Sequence, residues 1–127
     1  MNKDKIVGEL KKQFSGANVV FNDPQHPTEI ICEVEPASQH PDYSVAIAVI
    51  DQSQPHYHKN TTEVYQVITG KLILTVDDIK IELVKGNQYT IKPKQVHSAK
   101  GQETWVKITS YPGWIAEDHV LCKKNSE

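Results

Sequence analysis

Four side chains in this sequence have the types and spacing of ligands to a metal ion: His56, His58, Glu63 and His97. Residues two apart on a β-strand point to the same face, so His56 and His58 would project both imidazoles in one direction. Two buried imidazoles are poor core fillers, because each ring carries two nitrogens that need partners. A shared metal ion would provide a partner for one nitrogen of each ring.

Glu63 and His97 can join the two imidazoles if the chain turns between them. The segment Lys-Asn-Thr-Thr after His58 has the composition of a loop, which would bring Glu63 back beside the histidines. Two hairpins would then return the chain so that His97 reaches the same place. Three neutral imidazoles and one carboxylate suit one divalent transition metal (Fe, Mn, Zn, Ni, Co or Cu) rather than Ca or Mg. Any coordination position left open could take water or substrate.

The elements that must hold these residues are predicted to be short β-strands. Apolar residues alternate or run in short stretches, and Pro, Gly, Asn and Asp separate these stretches. Gly70-Lys71, Asp77-Asp78 and Gly86-Asn87 are typical of turns between strands. Many short, closely spaced strands indicate an all-β sandwich or barrel. The predicted strands are 19–21, 30–34, 43–50, 56–58, 63–69, 71–76, 80–84, 88–91, 96–99 and 105–110.

One helix precedes the strands. Ile6, Leu10 and Phe14 recur at four-residue spacing and predict a short amphipathic helix over 4–14. Ser15-Gly16 would end it. The apolar face of this helix would pack on the outside of the main domain or against a partner subunit.

The length and composition of the chain argue against several classes of protein and of binding partner. The 127 residues predict a single domain over 1–127. A net charge of −2 provides no positive field for phosphate backbones, so we expect no nucleic-acid partner. The sequence shows neither a signal peptide nor an apolar run of membrane-spanning length, so we expect no membrane partner and a cytoplasmic location. Cys32 and Cys122 are far apart, and reduced thiols fit that location.

The pattern around the four candidate ligands resembles the cupin superfamily, in particular its small single-domain metal-binding members. In the first motif of that family, a His-x-His-and-Glu group is followed by Gly, with six residues between the Glu and the Gly, as between Glu63 and Gly70 here. The glycine that opens this motif is missing, because Ile50 stands there. The second motif begins with Gly and ends with a His followed by Asn, and Gly86 and His97 match two of these positions. The sequence departs from it at Lys92-Pro93-Lys94, where the family has Pro-x-Gly, and at Gly101, where it has Asn.

The resemblance covers the predicted barrel core, about residues 43–110. It implies an all-β double-stranded β-helix, also called a cupin or jelly-roll barrel, with the short helix as an N-terminal addition. It also implies that the intact positions His56, His58, Glu63 and His97 bind the metal. A homodimer is expected by the same resemblance, with residues 4–14 and the N-terminal edge strands as candidate contacts.

Two residues near the site have open interpretations. Tyr65 lies two positions beyond Glu63 and should point inward, as a proton donor, as a group that orients the substrate, or as a core aromatic with a satisfied hydroxyl. Lys107 faces the cavity only if Trp105 also points inward. We favour the opposite phase, with Val106 inside, because apolar residues usually fill a barrel. His119 lies near the end of the chain and is not expected to be a ligand.

The favoured function is a metal-dependent enzyme, of dioxygenase or isomerase type, that acts on a small organic molecule. The alternative is a non-catalytic module that binds a small metabolite or a sugar. A structural cupin with no metal is a third hypothesis. The scaffold by itself does not choose among these activities.

Overall fold

The computed structural model describes residues 1–122, so the predicted domain boundary at residue 127 lies outside the described part. It contains one α-helix, ten β-strands and one 3-10 turn, and all strand pairs are antiparallel within one sheet. Within the described residues, no helix has the length and apolar character needed to cross a membrane. The elements are α1 (Lys3–Gln13), β1 (Asn18–Phe21), β2 (Glu29–Glu35), β3 (Ser44–Gln52), β4 (His56–His58), β5 (Thr62–Thr69), β6 (Lys71–Val76), β7 (Ile79–Val84), β8 (Gln88–Ile91), β9 (His97–Tyr111), the 3-10 turn (Ala116–Asp118) and β10 (His119–Leu121).

The predicted N-terminal helix is confirmed and packs on the outside of the sheet. Its first turn is capped by Asn2, whose side-chain oxygen accepts a hydrogen bond from the Lys5 backbone N–H over 3.3 Å. Ile6 and Leu10 are buried by this packing. They form an apolar cluster with residues of β2 and β3 that is separate from the barrel interior: Ile30, Cys32, Ile47 and Val49.

The sheet curls so that its inner face encloses a second apolar cluster. Period-two alternation along each strand decides which side chains enter it. Val106 and Ile108 of β9 point inward, whereas Lys107 between them is exposed, as the preferred phase predicted. The inner cluster consists of Ala48, Ile50, Tyr65, Val67, Leu72, Leu74, Val76, Leu83, Ile91, Ala99, Val106 and Ile108.

The central element is β9, which is longer than the sequence indicated. Predicted strands 96–99 and 105–110 are parts of one 15-residue strand, and Val96 lies outside it. Its first half pairs with β6 and its second half with β3 and β5. The register with β3 shifts where Gln52 pairs with Lys100 and Ile50 pairs with Thr104, which makes a bulge. The bulge bends the strand. The polar, glycine-containing segment between the two predicted strands resembles a turn in the sequence but continues the sheet.

Gly101 occupies the crowded side of this bulge. A Cβ atom there would lie 2.4 Å from the Thr104 hydroxyl oxygen and 2.9 Å from the Ile50 carbonyl oxygen. No side chain fits without a shift of the backbone. This explains glycine at the position where the related motif has Asn.

We expect Gly101→Ala to lower the free energy of unfolding by about 1–3 kcal/mol, because it overpacks the bulge. Gly8→Ala is the matched control, since Gly8 lies inside α1 and an added Cβ would have no atom within 4 Å. That variant should instead gain about 0.5–1 kcal/mol from helix propensity. Urea denaturation measures both. Equal effects of the same sign at the two positions would contradict this account of the bulge.

Candidate metal centre

The structure brings the four predicted ligands together. One donor atom from each of His56, His58, Glu63 and His97 lies within 4.8 Å of the other three, and all four side chains are buried. β4 supplies two histidines on one face, β5 supplies the glutamate, and β9 begins with the fourth residue. His56 pairs directly with His97 across β4 and β9, so the convergence follows from strand register.

Backbone carbonyls hold two of the imidazoles from outside. His56 Nδ1 lies 2.8 Å from the Gln54 carbonyl oxygen, and His97 Nδ1 lies 3.0 Å from the Gln95 carbonyl oxygen. A carbonyl only accepts, so each Nδ1 carries the proton and donates it outward. Each Nε2 is then left as a lone pair directed at the shared centre. Metal-binding histidines are commonly oriented in this way.

The contacts at the centre are those of a cation site. His97 Nε2 lies 3.2 Å from Glu63 Oε1, and His58 Nε2 lies 3.1 Å from the same oxygen. Because the proton of a neutral His97 ring is on Nδ1, its Nε2 lone pair points at a lone pair of Glu63 Oε1, and these two atoms cannot form a hydrogen bond. Neither nitrogen of His58 has hydrogen-bond geometry with another described group. A divalent ion between these atoms would take Nε2 of His58, Nε2 of His97 and the Glu63 oxygen as ligands, so the residues fit a transition metal.

The electrostatics of the site favour metal binding as well. Burial, reinforced by the neighbouring His97, lowers the pKa of His56 to about 3, so this ring is neutral at physiological pH. Burial alone would raise the pKa of Glu63, but the imidazoles of His58 and His97 outweigh it and hold the pKa well below its usual range. The site thus combines a charged carboxylate with imidazole lone pairs.

Sequence reasoning missed Asp118, which supports the site from behind. Its Oδ1 accepts the Asn60 backbone N–H over 2.8 Å, and its Oδ2 accepts the Thr61 backbone N–H over 3.1 Å. The same Oδ2 lies 3.9 Å from His58 Nδ1. Burial opposes ionisation of Asp118, but these hydrogen bonds lower its pKa below the usual value. Asp118 therefore holds the loop between β4 and β5 and faces the outer nitrogen of His58.

His119 also lies at the centre, although it was not expected to be a ligand. Its ring stacks parallel to that of His56 at 4.5 Å between centroids and meets His58 edge-on at 5.1 Å. Trp114 Nε1–H donates to its Nδ1 over 3.3 Å. His119 is outside the four-residue group of converging donor atoms. The pairing of β10 with β4 places it there, opposite His58, and no local sequence pattern indicates that pairing.

A cavity of about 320 Å³ is lined by three of the four residues, His56, His58 and Glu63, and His97 is not part of its lining. Tyr65 lines it and is only 3% exposed. As predicted, its ring points inward, 6.0 Å from that of His97. No described residue forms a hydrogen bond with its hydroxyl, whose pKa burial raises well above the ordinary value. The hydroxyl therefore keeps its proton and is available to donate a hydrogen bond to a ligand.

Lys94 stands where the related motif has glycine, and it keeps the glycine-like backbone. Its φ is +69°, in the left-handed region that side chains other than Gly rarely adopt. The strained turn is held by the Lys94 backbone N–H, which donates to the His58 carbonyl oxygen over 2.7 Å. The departure from the motif changes the strain of the turn and leaves His97 in place.

Comparisons with known proteins agree with this fold and site. A family model of the cupin domain matches residues 43–105. No curated protein sequence matches the chain. A uridine-bound variant of PAC13 from Streptomyces has a TM-score of 0.75 at 12% identity, over 87% of this chain and 88% of that chain. PAC13 is a nucleoside dehydratase.

Two further structures are similar. KdgF from Halomonas sp. has a TM-score of 0.66 at 17% identity, over 76% of this chain and 89% of that chain. A variant of oxalate decarboxylase from Bacillus subtilis has a TM-score of 0.70 at 14% identity, over 85% of this chain and 31% of that chain. The chain belongs to the cupin superfamily, and its fold is the predicted double-stranded β-helix with an added N-terminal helix.

We expect purified protein to bind about one equivalent of Zn²⁺ or Co²⁺, and His97→Ala to weaken binding by more than the roughly 10–100-fold typical of a lost outer-shell partner. His26→Ala, in an exposed loop, is the control. Titration followed by Co²⁺ absorption and by thermal unfolding measures the effect without an activity assay. Zinc at about 100 times its Kd should add about 2.7 kcal/mol of stability. Metal uptake below about a tenth of an equivalent would refute the site.

Lys94→Gly should raise the free energy of unfolding by about 1 kcal/mol, since it removes left-handed strain from a side-chain-bearing residue. Lys92→Gly, at an exposed position of the same turn whose φ is not positive, should give no gain. Chemical denaturation of both variants provides the comparison. A loss of stability in Lys94→Gly would mean that the lysine side chain, and not the backbone, stabilises this turn.

Proposed function

We propose that this cupin is a metal-dependent enzyme of isomerase type that acts on a small organic carbonyl compound. The observation that carries the proposal is the Tyr65 hydroxyl, which has no described hydrogen-bond partner and lines the same cavity as three of the candidate metal ligands, His56, His58 and Glu63. A hydroxyl without a protein acceptor, beside a metal centre, is suited to donate a hydrogen bond to a substrate oxygen.

The metal ligands and Tyr65 would have different roles. His56, His58, Glu63 and His97 would hold one divalent ion, which would polarise a carbonyl oxygen of the substrate. Tyr65 would donate a hydrogen bond to that oxygen, because its raised pKa keeps the hydroxyl protonated.

Glu29 also lines this cavity and supplies a second proton-transfer group. Burial, with a smaller contribution from the Glu63 charge, raises the pKa of Glu29 to about 7. In a hydroxyketone, its carboxylate can take the proton from the hydroxyl-bearing carbon next to the carbonyl, and its carboxyl can return that proton to the former carbonyl carbon, while the hydroxyl proton moves to the former carbonyl oxygen. The product is an isomer, and no oxidant is consumed. A hydrogen-bond donor and a base in one cavity favour proton transfer over oxygenation.

The test is exchange of substrate protons with solvent. Zinc- or manganese-loaded protein in D2O, mixed with small hydroxyketones and aminoketones, should introduce deuterium next to the carbonyl, as followed by NMR. Tyr65→Phe should slow exchange by about 10²–10³-fold, the usual effect of removing one hydrogen-bond donor to a developing oxyanion. Tyr57→Phe is the matched control, since Tyr57 alternates to the opposite face of β4 and does not line the cavity.

Other outcomes distinguish the alternatives. Oxygen uptake by iron-loaded protein without exchange would support an oxygenase instead. Ligand binding with neither exchange nor uptake would support the binding module. The homodimer and the cytoplasmic location remain predictions from the sequence, and gel filtration tests the first.

A further inference from the structure

The inner face of β2 is acidic where it lines the cavity. Alternation along this strand directs Ile30 and Cys32 towards α1, so the residues between and beside them face the opposite way. Glu29, Ile31 and Glu33 accordingly line the cavity. A carboxylate on the inner wall of a small barrel is costly without a partner.

These carboxylates have no counter-charge in the described structure. The side chains of Glu29 and Glu33 form no hydrogen bond or ion pair with any of residues 1–122. Glu35, also in the cavity wall, contacts His40, with 3.1 Å between Oε1 and Nε2. No lysine among the described residues lines the cavity, and the 14 basic residues of the chain are all lysines. Glu63 adds a fourth carboxylate at the metal centre.

Besides the metal ligands, one buried side chain with an unpartnered polar group faces this cavity. Tyr65 is 3% exposed, its hydroxyl has no described hydrogen-bond partner, and it lines the same cavity as Glu29 and Glu33. The unpartnered Nε2 of His58 belongs to the metal centre. The cavity thus offers a hydrogen-bond donor to a ligand that the acidic strand would also contact.

Apolar and aromatic groups complete the walls. Ile31 and Ile108 provide apolar surface, and Trp114 and Tyr65 provide aromatic rings. Aromatic faces attract organic cations as well as hydrocarbon. A phosphate or carboxylate ligand would approach several carboxylates with no described lysine beside it, whereas an ammonium group would meet complementary charge.

We propose that the ligand of this cavity is a small organic cation, with a protonated amine directed at Glu33, beside the proton-transferring Glu29, and an oxygen directed at the metal centre. A cationic substrate class rests on the proposed function in one respect, since both place the ligand in the same cavity. It predicts that binding depends on the charge of the ligand, whether or not the protein converts that ligand.

Three probes with one aromatic skeleton test the charge alone: tyramine, tyrosol and 4-hydroxyphenylacetate, which end in an ammonium, a hydroxyl and a carboxylate. We expect zinc-loaded protein to bind tyramine about tenfold more tightly than tyrosol, as one favourable charge contact of about 1.4 kcal/mol would give. The carboxylate, compared in metal-free protein because zinc itself binds carboxylates, should bind most weakly. Isothermal titration calorimetry measures all three, with metal-free protein in parallel to separate metal coordination from wall charge.

Glu33→Gln removes one wall charge and should lower tyramine affinity about tenfold while leaving tyrosol unchanged. Glu9→Gln makes the same substitution at an exposed position of α1 and should change neither. Circular dichroism confirms that both variants are folded.

Equal or tighter binding of tyrosol or 4-hydroxyphenylacetate would overturn the proposal, as would no tyramine binding at millimolar concentration. A tyramine preference that persists in protein without exchange activity would support this inference and count against the isomerase. The two proposals therefore fail separately.

Discussion

One carboxylate oxygen and the two imidazoles beside it set the requirements for the rest of the structure. Glu63 Oε1 lies 3.1 Å from His58 Nε2 and 3.2 Å from His97 Nε2, and all three side chains are almost fully buried. A buried charge is tolerated only with compensation close by. The outer nitrogen of His97 is already occupied by a backbone carbonyl, so the inner one cannot also donate to the carboxylate while the ring is neutral. The unsatisfied lone pairs make a cation the natural occupant.

The strands are arranged to keep these groups together. Three elements must meet at one point, and β9 achieves this by contacting most of the barrel along its length. Its bulge beside Gly101 lets one half pair with β6 and the other with β3 and β5. The lower interior is filled by aliphatic side chains, while the mouth carries the ionisable ones. The cavity wall therefore has an apolar part and an ionisable part, and a bound molecule would contact both.

The two walls of the cavity can be followed through the register of the sheet. Tyr65 pairs with Ile108, Ile108 with Ala46, and Ala46 with Glu33, so a single row of inward positions joins the tyrosine to the acidic strand. Tyr65, Ala46 and Glu33 all line the cavity. The phenol and this carboxylate therefore border the same volume, with the small Ala46 side chain between them in the row.

Local patterns in the sequence were sufficient for most of the strands and for the four candidate ligands. Strands 56–58, 71–76 and 88–91 have the predicted bounds, because period-two alternation and turn residues are properties of neighbouring positions. The spacing of His56, His58 and Glu63 is local in the same way, whereas His97 was predicted to join them from two intervening hairpins and the resemblance to the cupin motifs, and the structure brings all four together.

Pairings between distant segments were decided only by the tertiary structure. The continuity of β9, the place of Asp118 and His119 behind the site, and the acidic face of β2 each depend on residues far apart in the chain. The left-handed turn at Lys94 is imposed by the surrounding strands against the preference of a lysine. A single sequence carries no local signal for such contacts, since burial and register arise only when the sheet closes.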